Sequence, residues 1–186
     1  GGGGGGHQGG GGASAGGGGG GGHSWSDPGA TLVQTQQGTH SGGGSATFTL
    51  LGAGPQADDT DCSGGSWTTW PAQKIVACCK NKPSLCPGAE VETTCGREAA
   101  KAFVSDGSAV MQVYMGAGGG GSGAGTSTAG AGAVLGGKVR LNANDKVQIF
   151  VGCAGGSAVN ADGGAGGGST AILVNGEPRL VAGGGG

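Results

Sequence analysis

Glycine constrains this chain more than any other feature, since it supplies 53 of the 186 residues and occurs in long runs. The runs open the sequence at GGGGGGHQGGGG (1–12), recur at 16–22 and close it at VAGGGG (181–186). Ordering one glycine costs roughly 1–2 kcal/mol of backbone entropy, and glycine has no side chain to bury. The runs are therefore either flexible linkers or parts of a structure in which many backbone hydrogen bonds form together.

Polyproline II geometry is the ordered alternative for such runs, because it has three residues per turn and directs the backbone polar groups outward. Helices of this kind that lie side by side can pair each N–H and C=O with a neighbour, and only glycine leaves room for that approach. The sequence has no strict Gly-X-Y period, which excludes collagen and weighs against a regular ice-binding lattice. We therefore expect a bundle of polyglycine II helices.

Short apolar segments between the runs have the composition of β-strands. Two of them, at 45–54 and 108–118, share a Gly-Ser-Ala start and a Gly-Ala-Gly end, so that one element is used twice. GREAAKAFV (96–104) is the one segment with good helix formers. The pattern predicts an all-β chain. Its further strand and turn signals are KVRLN (138–142), the turn NAND (142–145), KVQIFVG (146–152), and AILV and RLVA joined by NGEP as a hairpin (171–182).

Charge and cysteine separate the middle of the chain from its flanks. Residues 1–26 contain no Asp, Glu, Lys or Arg, whereas more than half of the charged residues lie between Asp58 and Asp106. An even number of closely spaced cysteines favours a disulfide framework and an extracellular, secreted protein, since the Cys-x-x-Cys spacing of zinc sites is missing. The sequence leaves the pairing open. The candidates are Cys62, Cys78, Cys79, Cys86, Cys95 and Cys153.

Composition also excludes several function classes. The net charge of −2 provides no basic surface for nucleic acid. No apolar run approaches the roughly 20 residues that cross a bilayer, so we expect no membrane insertion. The chain starts without Met or a signal peptide, which predicts a processed product or a piece of a longer protein.

Side chains with catalytic or metal-binding chemistry are scattered. His7, His23 and His40 could form a metal trio, but we expect them to be exposed loop residues. The Walker loop is missing, and no helix follows GAGGGG to bind a pyrophosphate. We expect no enzyme activity and no cofactor. The calcium candidates are the carboxylates of Asp58, Asp59 and Asp61, against the alternative of a solvated acidic turn.

Trp67 and Trp70 form a Trp-x-x-Trp motif inside the cysteine-rich block. The motif resembles an acceptor of C-linked mannose in secreted proteins. It also suits an aromatic recognition surface, while the alternative that we favour is two indoles that pack over disulfides.

The segment from AVMQVYMGAGGGG (109–121) through KVQIFVGCAGG (146–156) to VAGGGG resembles the glycine-rich domain of the anaplastic lymphoma kinase and leukocyte tyrosine kinase receptors, which is related to glycine-rich domains of many secreted proteins. The resemblance lies in the order of elements: a strand that enters Gly-Ala-Gly-Gly, a glycine loop, two strands that end in Val-Gly, and an apolar hairpin. It implies a β-sandwich of the tumour-necrosis-factor type joined to a polyglycine II helix bundle.

The order of that family is rotated in this chain. Its later parts, which are glycine runs, a polar and aromatic loop and a last strand, stand here at the beginning, so the resemblance covers 107–186 followed by 1–52. The organisation that follows is a glycine-rich segment with the closing strand (1–54), a small disulfide-rich insert (55–106) and the main strands with further glycine (107–186). The rotation indicates either a circular permutant or one period of a head-to-tail array.

In an array, Gly183–Gly186 would continue into Gly1–Gly6 of the next unit as ten glycines, about 31 Å in polyproline II geometry. Gly1, Gly6, Gly183 and Gly186 are then the assembly joint, and the partners are copies of the chain itself. We expect an extracellular structural subunit that self-associates or repeats in tandem to form a filament or matrix. The alternatives are a receptor or adhesin module that recognises extracellular proteins or glycans through the insert and, third, an ice-binding protein.

Overall fold

The computed structural model of the chain describes residues 2–12, 19–52, 89–90, 101–105, 108–123, 128–158 and 163–186. Within these ranges the chain forms two five-stranded antiparallel sheets and contains no helix, so the prediction of an all-β sandwich is confirmed. The strands are β1 (Trp25–Ser26), β2 (Thr31–His40), β3 (Ser45–Gly52), β4 (Ala89–Glu90), β5 (Lys101–Val104), β6 (Ala109–Gly116), β7 (Gly132–Leu141), β8 (Lys146–Phe150), β9 (Thr170–Val174) and β10 (Glu177–Ala182).

The first sheet has the strand order β1-β10-β9-β8-β5, and the second has the order β2-β7-β6-β3-β4. The two similar segments noted in the sequence are neighbours: β3 pairs with β6 in an unbroken register from Ser45 opposite Gly116 to Gly52 opposite Ala109. In the first sheet, β1, the first strand of the chain, pairs with β10, the last strand. The early residues therefore complete both sheets within one chain.

The core lies between the sheets and follows from alternation along the strands. In β6, Met111, Val113 and Met115 are buried, while Gln112 and Tyr114 between them are exposed. Because successive side chains of a strand point to opposite faces, this pattern directs every second residue to the core. The other buried apolar residues of the core include Leu135, Val139 and Leu141 of β7, Val147 and Ile149 of β8, Ile172 and Val174 of β9, and Leu180 of β10.

Two asparagine turns close one end of the sandwich, as the sequence predicted. Asn175 and Gly176 both have positive φ, 55° and 83°, which is the geometry of the two-residue turn that matches strand twist. Asn144 of the second turn has φ of 68°. The turns are joined, because the Asn175 side-chain amide donates to the Asp145 carboxylate over 2.8 Å.

The segment 96–104, with its good helix formers, contains a strand where the structure describes it. Lys101–Val104 is strand β5, which pairs antiparallel with β8 from Lys101 opposite Ile149 to Val104 opposite Lys146. Helix propensity is a weak preference, and the ladder hydrogen bonds offered by β8 outweigh it. The predicted insert (55–106) therefore ends just after β5, which is a strand of the first sheet.

A buried hydroxyl joins the two sheets where the strands meet the glycine runs. Thr170 of β9 donates its Oγ1 hydrogen to the carbonyl oxygen of Gly116 in β6 over 2.7 Å. The same Oγ1 accepts from the N–H of Gly152 over 3.2 Å. Thr170 is fully buried, so both backbone groups depend on it in place of water.

We predict that Thr170→Val lowers the free energy of unfolding by about 1–3 kcal/mol, because the shape of the side chain is kept while two buried backbone groups lose a partner. Urea denaturation followed by circular dichroism measures the change. Thr35→Val is the matched control, since Thr35 lies on an exposed strand and should change stability by less than about 0.5 kcal/mol. Equal stability of the two variants would contradict the role of the hydroxyl.

Candidate functional site

The glycine runs gather at one end of the sandwich. Because neighbouring strands are antiparallel, the ends of β6, β8 and β10 lie beside the beginnings of β3, β7 and β9. The chain enters or leaves each of these strands through small residues. We call the segments at this end the glycine network: 2–6, 9–12, 19–23, 117–123, 128–133, 152–158, 163–169 and 183–186.

Backbone hydrogen bonds join these segments at intervals of three residues. Gly2 donates to the carbonyl of Gly164 over 2.9 Å, and Gly5 donates to that of Gly167 over 2.8 Å. A β-ladder repeats every two residues, so this spacing is not a continuation of the sheets. Two further bonds with the same step of three, Gly4→Gly20 and His7→His23, join parallel segments. Antiparallel segments show the step in four pairs of bonds: Gly118→Gly168 with Gly121→Ala165; Ala117→Ala133 with Gly120→Gly130; Gly130→Gly186 with Ala133→Gly183; and Ala165→Gly156 with Gly168→Cys153.

Segment 183–186 lies at the centre of the network, and its first three glycines are buried. It exchanges hydrogen bonds with five other segments: Gly184 donates to Gly5 and accepts from Gly22, Gly185 donates to Gly118 and accepts from Gly167, and Gly186 accepts from Gly130. A segment with neighbours on every side uses both its N–H and C=O groups, which buried backbone requires.

Glycine is required here because the segments touch backbone to backbone. A methyl group at Gly183 or Gly186 would overlap a carbonyl oxygen of segment 19–23, while one at Gly184 would overlap that of Gly167 and one at Gly185 that of Gly130. The Cβ positions of Gly183 and Gly186, three residues apart, thus face the same segment, while those of Gly184 and Gly185 each face a different one. Any larger side chain would force the segments apart and break their hydrogen bonds.

We predict that Gly184→Ala destabilises the protein by about 3 kcal/mol or more, because its methyl group has no free space and the neighbouring atoms are backbone. Gly11→Ala is the matched control, since no atom in the described part of the chain lies within 4 Å of a Cβ at Gly11. That variant should be neutral or stabilising by up to about 1 kcal/mol, because alanine restricts the unfolded chain. Thermal and urea unfolding measure both, and a similar loss at the two positions would argue against close packing.

The network is open along one side. Gly9, Gly11, Gly12, Gly20 and Gly21 are all exposed. Among the described residues, a Cβ at Gly11 would meet no atom within 4 Å, and one at Gly21 would meet only the carbonyl oxygen of Gly184, at 3.5 Å. This open side consists of segments 9–12 and 19–23, and no Asp, Glu, Lys or Arg occurs in it.

The structure brings together the described residues of the predicted assembly joint. Gly183 is buried, and its N–H donates to the Ser24 hydroxyl over 3.0 Å. Gly6 is half-buried against the backbone of His23, and Gly186 is half-buried against that of Gly19. Segments 2–6 and 183–186 are direct neighbours within one chain, while Gly1 lies outside the described residues.

Most of the other predicted site residues also lie outside the described ranges. These are five of the six disulfide candidates (Cys62, Cys78, Cys79, Cys86 and Cys95), the calcium candidates Asp58, Asp59 and Asp61, and the two indoles Trp67 and Trp70. Cys153 is described: it is half-buried in the network, and its carbonyl accepts from the N–H of Gly168 over 2.8 Å.

The three histidines occupy different environments. His7 and His23 are exposed, as expected, and their backbones are joined by a hydrogen bond of 3.1 Å. His40 differs from the expectation, because it ends strand β2 and is half-buried with its ring over Gly116. Among the described residues no three His, Cys, Asp or Glu side chains come together as a metal site.

Sequence reasoning missed the side chains that fasten the network to the first sheet. The His7 ring stacks on the Trp25 indole with a centroid separation of 4.7 Å and an interplanar angle of 12°. Two residues further, Asp27 forms an ion pair of 3.1 Å with Arg179 of β10. The HSWSD motif (residues 23–27) was the available signal, since polar and aromatic residues there directly follow the glycine run 16–22.

Comparisons of the chain with family models, with curated proteins and with solved structures found no match. Within the described ranges no helix has the length and apolar character needed to cross a bilayer.

Proposed function

We propose that this chain is an extracellular structural subunit that self-associates into a filament or matrix through its glycine network and its exposed strand edges. The observation that carries the proposal is the open, uncharged side of the network at segments 9–12 and 19–23. The backbone contacts that hold the segments together inside the molecule are available there to a second copy.

The glycine segments are polyglycine II helices in this proposal. Three residues per turn is the period of that helix, and the hydrogen bonds of the network advance by three residues on both partners. A methyl group at Gly183 and one at Gly186 would point to the same neighbouring segment, so the side-chain direction also repeats every three residues. Both parallel and antiparallel neighbours occur, which suits a helix whose hydrogen-bonding groups point outward on all sides.

A sandwich of the tumour-necrosis-factor type, with a disulfide-rich insert, is the finer form of the fold that we propose. Two five-stranded antiparallel sheets and the resemblance to the receptor glycine-rich domains support it. The even number of cysteines, most of them between 62 and 95, supports a disulfide-stapled insert and an oxidising, extracellular location.

A structural role suits the chemistry of the open side better than recognition of a charged or polar ligand. Its glycines offer only backbone N–H and C=O groups, and another chain can reach them only if it also lacks side chains at the contact. A second copy of this chain has such a surface. Many weak backbone hydrogen bonds, each worth about 0.5–1.5 kcal/mol, then act together.

We predict that the purified chain self-associates with increasing concentration and that Gly11→Leu weakens this association at least tenfold, because a leucine side chain holds the second backbone away from the open side. Sedimentation velocity measures the mass distribution, and electron microscopy tests for filaments with an axial repeat of one chain. Association through uncharged backbone should also be nearly independent of salt concentration.

Gly43→Leu is the matched control for that experiment, since no described residue lies within 4 Å of a Cβ there and Gly43 lies outside the network. It should associate as the unchanged chain does. A chain that remains a monomer of 17.1 kDa at millimolar concentration would overturn the proposed function.

A further inference from the structure

Strand β2 is the outer strand of the second sheet, and among the described strands it pairs only with β7. All residues from Thr31 to Thr39 are exposed, without the alternation seen in the inner strands. Leu32 and Val33 are 44% and 63% exposed. Among the described residues, the first sheet therefore does not cover β2, and no strand pairs with its outer backbone edge.

This edge lacks the side chains that usually protect an edge strand. The sequence TLVQTQQGTH contains no Asp, Glu, Lys, Arg or Pro. Natural edge strands commonly carry a lysine or a proline, because either one prevents another strand from pairing with the free backbone groups. The register with β7 is irregular between Leu32 and Gln34 and between Gln36 and His40, which leaves Gln34–Gln36 as the longest regular stretch of the strand.

We propose that β2 pairs with β2 of a second copy in antiparallel sense about a two-fold axis near Thr35, so that two second sheets join into one continuous sheet. The pairing rests on the self-association proposed above and specifies one of its surfaces. An extended strand is the partner that completes the free N–H and C=O groups of such an edge.

Charge and side-chain chemistry favour the same strand as the partner. The nearest cation in the described part of the neighbouring strand is Lys138, which lies opposite Thr31 at one end of β2. Antiparallel pairing carries the Lys138 of the second copy to the far end, about 30 Å away along ten residues of strand. Near the axis, Gln34, Thr35 and Gln36 can form the amide and hydroxyl hydrogen bonds that stabilise cross-strand pairs.

A two-fold strand pair uses the β2 edge of both copies and so ends at a dimer. Growth beyond the dimer requires a second contact, for which the open side of the glycine network is separate in position and chemistry. The two surfaces therefore have different tasks: β2 joins two chains, and the network links the resulting dimers.

Thr35→Lys tests the strand pair, because two lysines then face each other near the axis. We expect its dimer dissociation constant, measured by sedimentation velocity, to rise at least tenfold, and we expect the same for Thr35→Glu. A mixture of the two variants should restore dimers that neither forms alone. Thermal unfolding should show unchanged folding, since Thr35 is exposed.

Ala143→Lys is the matched control, because it adds the same charge to an exposed turn residue outside β2. It should dimerise as the unchanged chain does. Hydrogen exchange should locate the contact, with amides of 31–40 protected as the concentration rises.

If the unchanged chain associates but Thr35→Lys associates equally well, with no protection in 31–40, the β2 pairing is wrong and the glycine surface stands. If the unchanged chain is a monomer at every concentration, the pairing and the proposed function both fail. Mixed dimers of the lysine and glutamate variants, without dimers of either alone, support the pairing.

Discussion

Backbone hydrogen bonds between glycine segments are the interaction on which the rest of this structure depends. Each ordered glycine costs about 1–2 kcal/mol, and each hydrogen bond returns about 0.5–1.5 kcal/mol, so a segment with one neighbour is unstable alone. Segment 183–186 is stable because it bonds to five others. The sandwich makes this possible, since its antiparallel strands deliver the glycine segments side by side at one end.

The sandwich and the network stabilise each other through a few buried groups. Thr170 joins β9 to β6 where both enter the network, and the hydroxyl of Ser24 receives the N–H of Gly183. The stack of His7 on Trp25 and the ion pair of Asp27 with Arg179 hold the early residues against the first sheet. Among the described residues, the open side of the network and the edge of β2 are exposed and carry no Asp, Glu, Lys or Arg.

Much of the sheet structure could be predicted from local pattern. The strand-like composition of KVRLN and KVQIFVG, the Asn-Gly turn before β10 and the similarity of 45–54 to 108–118 all identified elements that the structure contains. The strand at Lys101–Val104 could not be predicted, because its residues favour a helix and only the edge of β8 makes them extended. We expected His40 to be exposed, but its ring covers Gly116 of β6. The local sequence could not predict this contact, because the two residues are far apart in the chain.

The sequence by itself determined that ordered glycine runs need a structure in which side chains are absent and hydrogen bonds are many, because only many bonds together compensate the entropy of glycine. It also determined the period of the strands and the positions of the turns. Only the tertiary structure decided which runs are neighbours, because identical glycines carry no information about their partners. The register and direction of the strands, set by the packed core, place 183–186 in the centre and leave 9–12 and β2 at the edges.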